Sequence, residues 1–280
     1  MKGFSLALGG GGARGFAHFG VLLELCEAGF FPTSIAGTSM GAIVGGIYAA
    51  GQDLQRVIKI LSALDLPDFF GVPDSYRALM ERAIAESLVE MVRRRPWWEI
   101  NAKRTSRFLA FLRLFTKGKR FEELSPPFCA VACDLATGEE IRIQRGPVYL
   151  GVGASAALPG LLGPIRWEGR WLIDGGVTNN LPVDVAAEKA KTVVAVDVSA
   201  PFSAGTNSLV DVVLRAYEIT AHTLTAVRLE RMRERLGENL LVLRPELEGV
   251  GLLDFQHLPR VVEAGRAAAR PLIAELRNRL

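Results

Sequence analysis

The 280-residue chain predicts an α/β sandwich with a largely parallel sheet. Two observations carry that prediction: two strand-turn-helix units fill the first 50 residues, and short apolar strands then alternate with helical patterns towards the C-terminus. A hydrophobic content of 49% supplies the core of one large domain, and it excludes disordered, collagen-like and disulfide-stapled chains.

Phe4 to Leu8 reads as a short buried strand. Gly9, Gly10, Gly11, Gly12, Ala13, Arg14 and Gly15 follow it, then a helical pattern through Phe16, Val21, Leu22, Leu25 and Cys26 that Gly29 ends. A second strand, Ser34 to Ala36, runs into Gly37-Thr38-Ser39-Met40-Gly41 and a helix to about Ala50. From Leu54 to about Phe115 the pattern is helical, interrupted at Pro67, Pro73 and Pro96. Strand patterns return at Phe128 to Asp134 and Ile141 to Ile143, at the hairpin Ile165 to Asp174, at Thr192 to Val198 and at Leu240 to Leu243. Long helices are expected over Leu209 to Leu236 and His257 to Leu280.

Ala28 to Gln52 and Gly146 to Ile165 carry no charge, yet six glycines break the first and three prolines the second, so neither is a membrane span. They read instead as buried turns around a site. The N-terminus has no signal-peptide pattern, and Cys26, Cys129 and Cys133 form no CxxC, which favours reduced core thiols and a cytoplasmic protein. No metal-ligand pattern is present, and neither a metal nor a cofactor is expected.

Gly10, Gly12 and Gly15 satisfy GxGxxG between a strand and a helix, but the acidic residue that would hold a ribose is missing between Glu27 and Asp53. The Gly-Lys-Ser/Thr of a phosphate loop is missing too. What remains is a row of unobstructed amides at a helix N-terminus, suited to an oxyanion. Gly37-Thr38-Ser39-Met40-Gly41 matches GxSxG between strand and helix, which makes Ser39 the candidate nucleophile. Asp174, closing an apolar strand and followed by Gly175 and Gly176, is the candidate base, since partial desolvation raises a carboxylate's affinity for the serine proton. A serine-acid-histidine triad using Asp174 or Asp197 with His222 or His257 is the alternative; against it, only two strands fit ahead of the elbow.

These motifs together resemble the bacterial patatin-like phospholipases, with GGGxR/KG after the first strand, GxSxG soon after and Asp-Gly-Gly much later. Ala154-Ser155 with Pro159, and Asn179-Asn180 with Pro182, extend the match over about residues 4 to 200. The resemblance implies a three-layer patatin-like sandwich, with helices on both faces of the sheet, and a serine acyl hydrolase of lipid esters without a catalytic histidine. By position it assigns Ser39 as nucleophile, Asp174 as base and the amides of Gly10, Gly11 and Gly12 as oxyanion hole. Arg14 matches the family's basic position, and its own setting leaves loop support and phosphate contact both open. His18, one turn inside a helix, reads as a packing or hydrogen-bonding residue. Transfer of the acyl group to another acceptor, or a regulator that binds lipid without catalysis, would use the same fold.

The net charge of +3 conceals an asymmetry: Arg93 to Arg120 carries +9 and the remainder −6. Within a helical insert at about 66–120, Phe108, Leu109, Phe111, Leu112 and Phe115 recur at helical spacing opposite Arg107, Arg113 and Lys117, and Trp97 and Trp98 precede them. Two readings are open: peripheral contact with an anionic membrane surface, or a cap helix whose apolar face packs on the core. No nucleic-acid motif accompanies the patch, so no nucleic-acid partner is expected.

Overall fold

A computed structural model of the chain describes residues 3–64, 66, 102–200 and 209–279. Its centre is an eight-stranded sheet in the order β5-β6-β3-β2-β1-β7-β8, with β4 also paired to β3. The strands are β1 (Phe4–Leu8), β2 (Ser34–Thr38), β3 (Phe128–Asp134), β4 (Glu140–Ile143), β5 (Ile165–Trp167), β6 (Arg170–Asp174), β7 (Thr192–Val196) and β8 (Leu240–Leu243). Strands β3, β2, β1, β7 and β8 run parallel, and β4, β5 and β6 join antiparallel. The sheet is therefore largely parallel, as the sequence pattern predicts.

Every residue of β1, β2, β3 and β7 is buried, the signature of strands covered on both faces. Alternation sorts their side chains into two apolar clusters. Phe4, Leu6, Leu8, Val194 and Val196 belong to the larger, with helices α1 (Ala17–Glu27), α2 (Met40–Ala49), α4 (Ala102–Phe115), α5 (Val148–Ser155) and α8 (Leu258–Arg279). Ala7, Val193 and Ala195 belong to the smaller, with α6 (Val183–Ala186) and α7 (Leu209–Leu236). Helix α3 (Leu54–Ala63), capped by the Asp53 side chain, adds Leu54, Val57 and Leu61 to the larger cluster. On that face α1 and α8 approach backbone to backbone: a Cβ on Gly20 would strike the Val262 carbonyl, and one on Gly265 the Ala17 carbonyl.

One expectation is corrected. The uncharged stretch from Gly146 to Ile165, read as turns, contains helix α5. Two of its glycines form packing contacts: a Cβ on Gly151 would lie 2.6 Å from the Phe121 ring and one on Gly153 2.5 Å from Leu109. Close packing on the core outweighs the low helix propensity of glycine. The calls on Pro67, Pro73 and Pro96, and on Arg93, Arg94, Arg95, Trp97, Trp98 and Glu99, lie outside the described residues. Cys129 and Cys133 are buried thiols, Cys26 is half-buried, and none is in a disulfide. Among the described residues no helix is long and apolar enough to cross a membrane.

Candidate active site

In an open parallel sheet, sites form at the carboxyl ends of the strands, where the loops into the helices begin. Here the glycine loop leaves β1 and Ser39 leaves β2, two neighbouring strands in register from Ser5↔Ser34 to Leu8↔Gly37. Ser39 joins β2 to α2 with φ 54 and ψ −122, a conformation that costs a residue with a Cβ about 1–3 kcal/mol. The turn is held from several sides. The Ser39 amide donates to the Ser155 hydroxyl at 3.0 Å, and that hydroxyl donates to the Val131 carbonyl at 2.5 Å. A Cβ on Gly37 would lie 2.5 Å from the Gly41 carbonyl, so the start of α2 rests directly on β2.

The Ser39 hydroxyl donates to Asp174 Oδ2 at 2.7 Å. Asp174 ends β6, opposite Ala132 of β3, and is only 1% exposed. Its Oδ1 accepts from the Gly176 amide at 2.8 Å and from the Tyr217 hydroxyl at 3.2 Å. Burial pushes its pKa up to about 6, against the opposing pull of the Ser39, Gly176 and Tyr217 donors. The carboxylate is thus ionised near neutral pH yet a stronger base than an exposed aspartate. Both following glycines are required sterically, since a Cβ on Gly175 would strike the Val131 carbonyl and one on Gly176 the Tyr217 hydroxyl.

The glycine loop lies against Ser39: a Cβ on Gly10 would sit 3.1 Å from the Ser39 Cβ. The expectation of three free amides is narrowed here, because the Gly10 N–H donates to the Asn180 carbonyl at 2.9 Å. Among the described residues the amides of Gly11 and Gly12 have no such partner, and Gly12, at φ +55, turns the chain into a short 3-10 helix. Arg14 donates from Nε to the Gly11 carbonyl at 3.3 Å and from Nη2 to Glu218 at 2.5 Å, so its guanidinium spans the loop and α7. Gly15 leaves room for the Met40 side chain.

His18 and His257 take their hydrogen bonds elsewhere than Ser39 and Asp174. His18 is fully buried, its pKa pushed down to about 4 by burial, so the neutral ring donates from Nε2 to the Gly9 carbonyl at 2.7 Å and steadies the loop. His257 pairs with Asp254 at the surface, and His222 lines the cleft. Asp197 accepts from Ser199 and Arg244.

Above Ser39 opens a cleft of about 870 Å³, counting the space at its mouth, walled by Met40, Ile43, Phe108, Leu158, Leu161, Leu162, Leu252, Leu253 and Phe255. Phe108 comes from α4, whose Phe108, Phe111, Leu112 and Phe115 are all buried. The aromatic stripe of the basic segment therefore packs on the core and walls the cleft, leaving Lys103, Arg107 and Arg113 exposed on the other arc. Sequence reasoning had no role for Ser155 or Asn180, although both stood in the matched pattern, and it missed Tyr217 and Glu218, which belong to an ordinary helix with no local signal.

A serine on a strand-to-helix elbow, a carboxylate within hydrogen-bond reach and a glycine loop alongside define an α/β protein of the nucleophile-elbow class. The sequence profile of the patatin-like phospholipases matches residues 6–187, and the chain belongs to that family. It is 30% identical over 300 residues to an uncharacterized NTE family protein of Mycobacterium tuberculosis, covering 96% of this chain and 46% of that one. It is 35% identical over 203 residues to patatin-like phospholipase domain-containing protein 6 of Mus musculus, covering 69% of this chain and 13% of that one. The chain spans about half the length of the mycobacterial relatives it matches. In fold it is similar to VipD from Legionella pneumophila, with a TM-score of 0.53 at 16% identity over 98% of this chain and 67% of that one.

Proposed function

We propose that the protein is a serine acyl hydrolase that cleaves lipid ester bonds through a Ser39-Asp174 dyad. The observation that carries this reading is the 2.7 Å hydrogen bond from the Ser39 hydroxyl to buried Asp174 at the base of an apolar cleft. Asp174 takes the hydroxyl proton as Ser39 Oγ attacks the acyl carbonyl. The amides of Gly11 and Gly12 meet the oxyanion of the tetrahedral intermediate, where one donor is worth about 100- to 1,000-fold in rate. Protonated Asp174 then gives its proton to the departing alcohol, and in the second half it deprotonates the water that releases the fatty acid from Ser39. An apolar wall suits an acyl chain, and the family's name agrees with a lipid substrate.

Ser39→Ala is expected to abolish hydrolysis of a short-chain chromogenic ester while its far-UV circular dichroism stays that of the wild type. Retained turnover in that variant refutes the dyad. Contact with an anionic membrane surface through the exposed Lys103, Arg107 and Arg113 is part of the same reading, because α4 carries these cations on one arc and Phe108 of the cleft on the other. Co-sedimentation with phosphatidylserine-containing vesicles, lost on changing the three to Gln, tests it; equal binding of the variant and the wild type removes it.

A further inference from the structure

We propose that Tyr217 is a positioning residue for Asp174, holding one carboxylate oxygen so that the other faces Ser39; this rests on the dyad reading above. The two oxygens of Asp174 are unequally engaged. Oδ2 takes only the Ser39 hydroxyl, whereas Oδ1 takes both the Gly176 amide and the Tyr217 hydroxyl. One donor on Oδ1 leaves the carboxylate free to swing about its Cβ–Cγ bond; a second from another direction fixes its plane. The space for that second donor exists because residue 176 is glycine, whose missing Cβ would overlap the Tyr217 hydroxyl.

Tyr217 lies beyond residues 6–187 matched by the family profile, on α7, which packs on the opposite face of the sheet from α1 and α2. Its neighbour Glu218 pairs with Arg14, whose Nε bonds the Gly11 carbonyl. Two consecutive side chains thus anchor α7, one to the base and one to the glycine loop, and together they set its register. Burial and the adjacent Asp174 charge raise the Tyr217 pKa well above its usual value, so the phenol stays protonated and donates throughout the working range.

The test is Tyr217→Phe, which keeps the ring and removes only the donor. On a soluble short-chain ester kcat is expected to fall about 10- to 100-fold, the range for one hydrogen bond to a charged group, with KM unchanged. The acid limb of the kcat/KM profile moves to higher pH, because the lost donor favoured the ionised carboxylate. Incorporating 3-fluorotyrosine at position 217, a stronger donor of the same shape, moves that limb to lower pH. Labelling by a fluorophosphonate, with Ser39→Ala as control, reads the nucleophile separately. Wild-type protein that takes no label at Ser39 overturns the dyad reading itself. Labelled Ser39 together with wild-type kcat and an unmoved acid limb in Tyr217→Phe, or a limb unmoved by 3-fluorotyrosine, overturns the positioning role alone.

Discussion

Residues 6–187 and the C-terminal segment after them build one cleft by different means. The first region brings Ser39 and Asp174, the dyad proposed above, in a specialised backbone: Ser39 at positive φ, Gly37 under α2, Gly175 against β3 and Gly176 against Tyr217. The second region brings Tyr217 and Glu218 from the middle of a long helix and Leu252, Leu253 and Phe255 from the approach to α8. Reactive groups need turns because a turn at a strand end projects a side chain clear of the sheet. Supporting groups need only a rigid element at the right distance, and a helix packed on the sheet provides it.

Four substitutions probe this division, taken from the largest expected effect on turnover to none. Asp174→Asn in the first region should lower kcat by about 10,000-fold, the scale seen when a catalytic aspartate is neutralised in place. It should also raise the melting temperature at pH 7. The folded-state pKa of about 6 lies above the ordinary 3.8, so ionised Asp174 costs stability above about pH 6, and that cost is relieved as the pH falls from 6 towards 4. Calorimetry should therefore find the gain at pH 7 and lose it at pH 4; a variant less stable at both values contradicts the assignment.

Gly37→Ala forces α2 away from β2, because the new Cβ would sit 2.5 Å from the Gly41 carbonyl. A loss of about 1–3 kcal/mol is expected in denaturant titration, the range for overpacking. Turnover should fall about 100-fold, since a shift of about 1 Å at reacting atoms costs that much. Glu218→Gln touches no reacting atom but leaves Arg14, 9% exposed in its side chain, without its anion. A fall in kcat of about 10-fold is expected from a loosened glycine loop, equivalent to about 1.4 kcal/mol, and steady-state kinetics will read it. Gly265→Ala closes the series. Its Cβ would strike the Ala17 carbonyl in the α1–α8 contact, so stability should drop by about 1–3 kcal/mol while turnover per folded molecule, from active-site titration, stays at the wild-type value.

The same division explains what could be read before the structure. Phe128–Asp134, Leu209–Leu236 and Leu240–Leu243 are elements with the bounds their apolar patterns predict, because doubly covered strands and long helices leave unambiguous periodicity. Helix α5 was hidden, because glycines chosen for packing imitate the composition of turns. Ser39 and Asp174 stood out through the glycines around them. The aromatic stripe of α4 was legible as a stripe, yet its periodicity is the same whether the face meets lipid or core, and only the burial of Phe108, Phe111 and Phe115 decided for the core.

By itself, then, the sequence determined the α/β class, the elbow, the glycine loop and the acidic residue that faces them, since each depends on a residue type that a local backbone conformation demands. The tertiary structure alone decided that Gly10 donates to Asn180 and not into the cleft, that Arg14 is held by Glu218, and that Tyr217 reaches Asp174 from 43 residues away. Those contacts join side chains distant along the chain through the packing of α7 on the sheet. No local pattern records a distance that only the folded core sets.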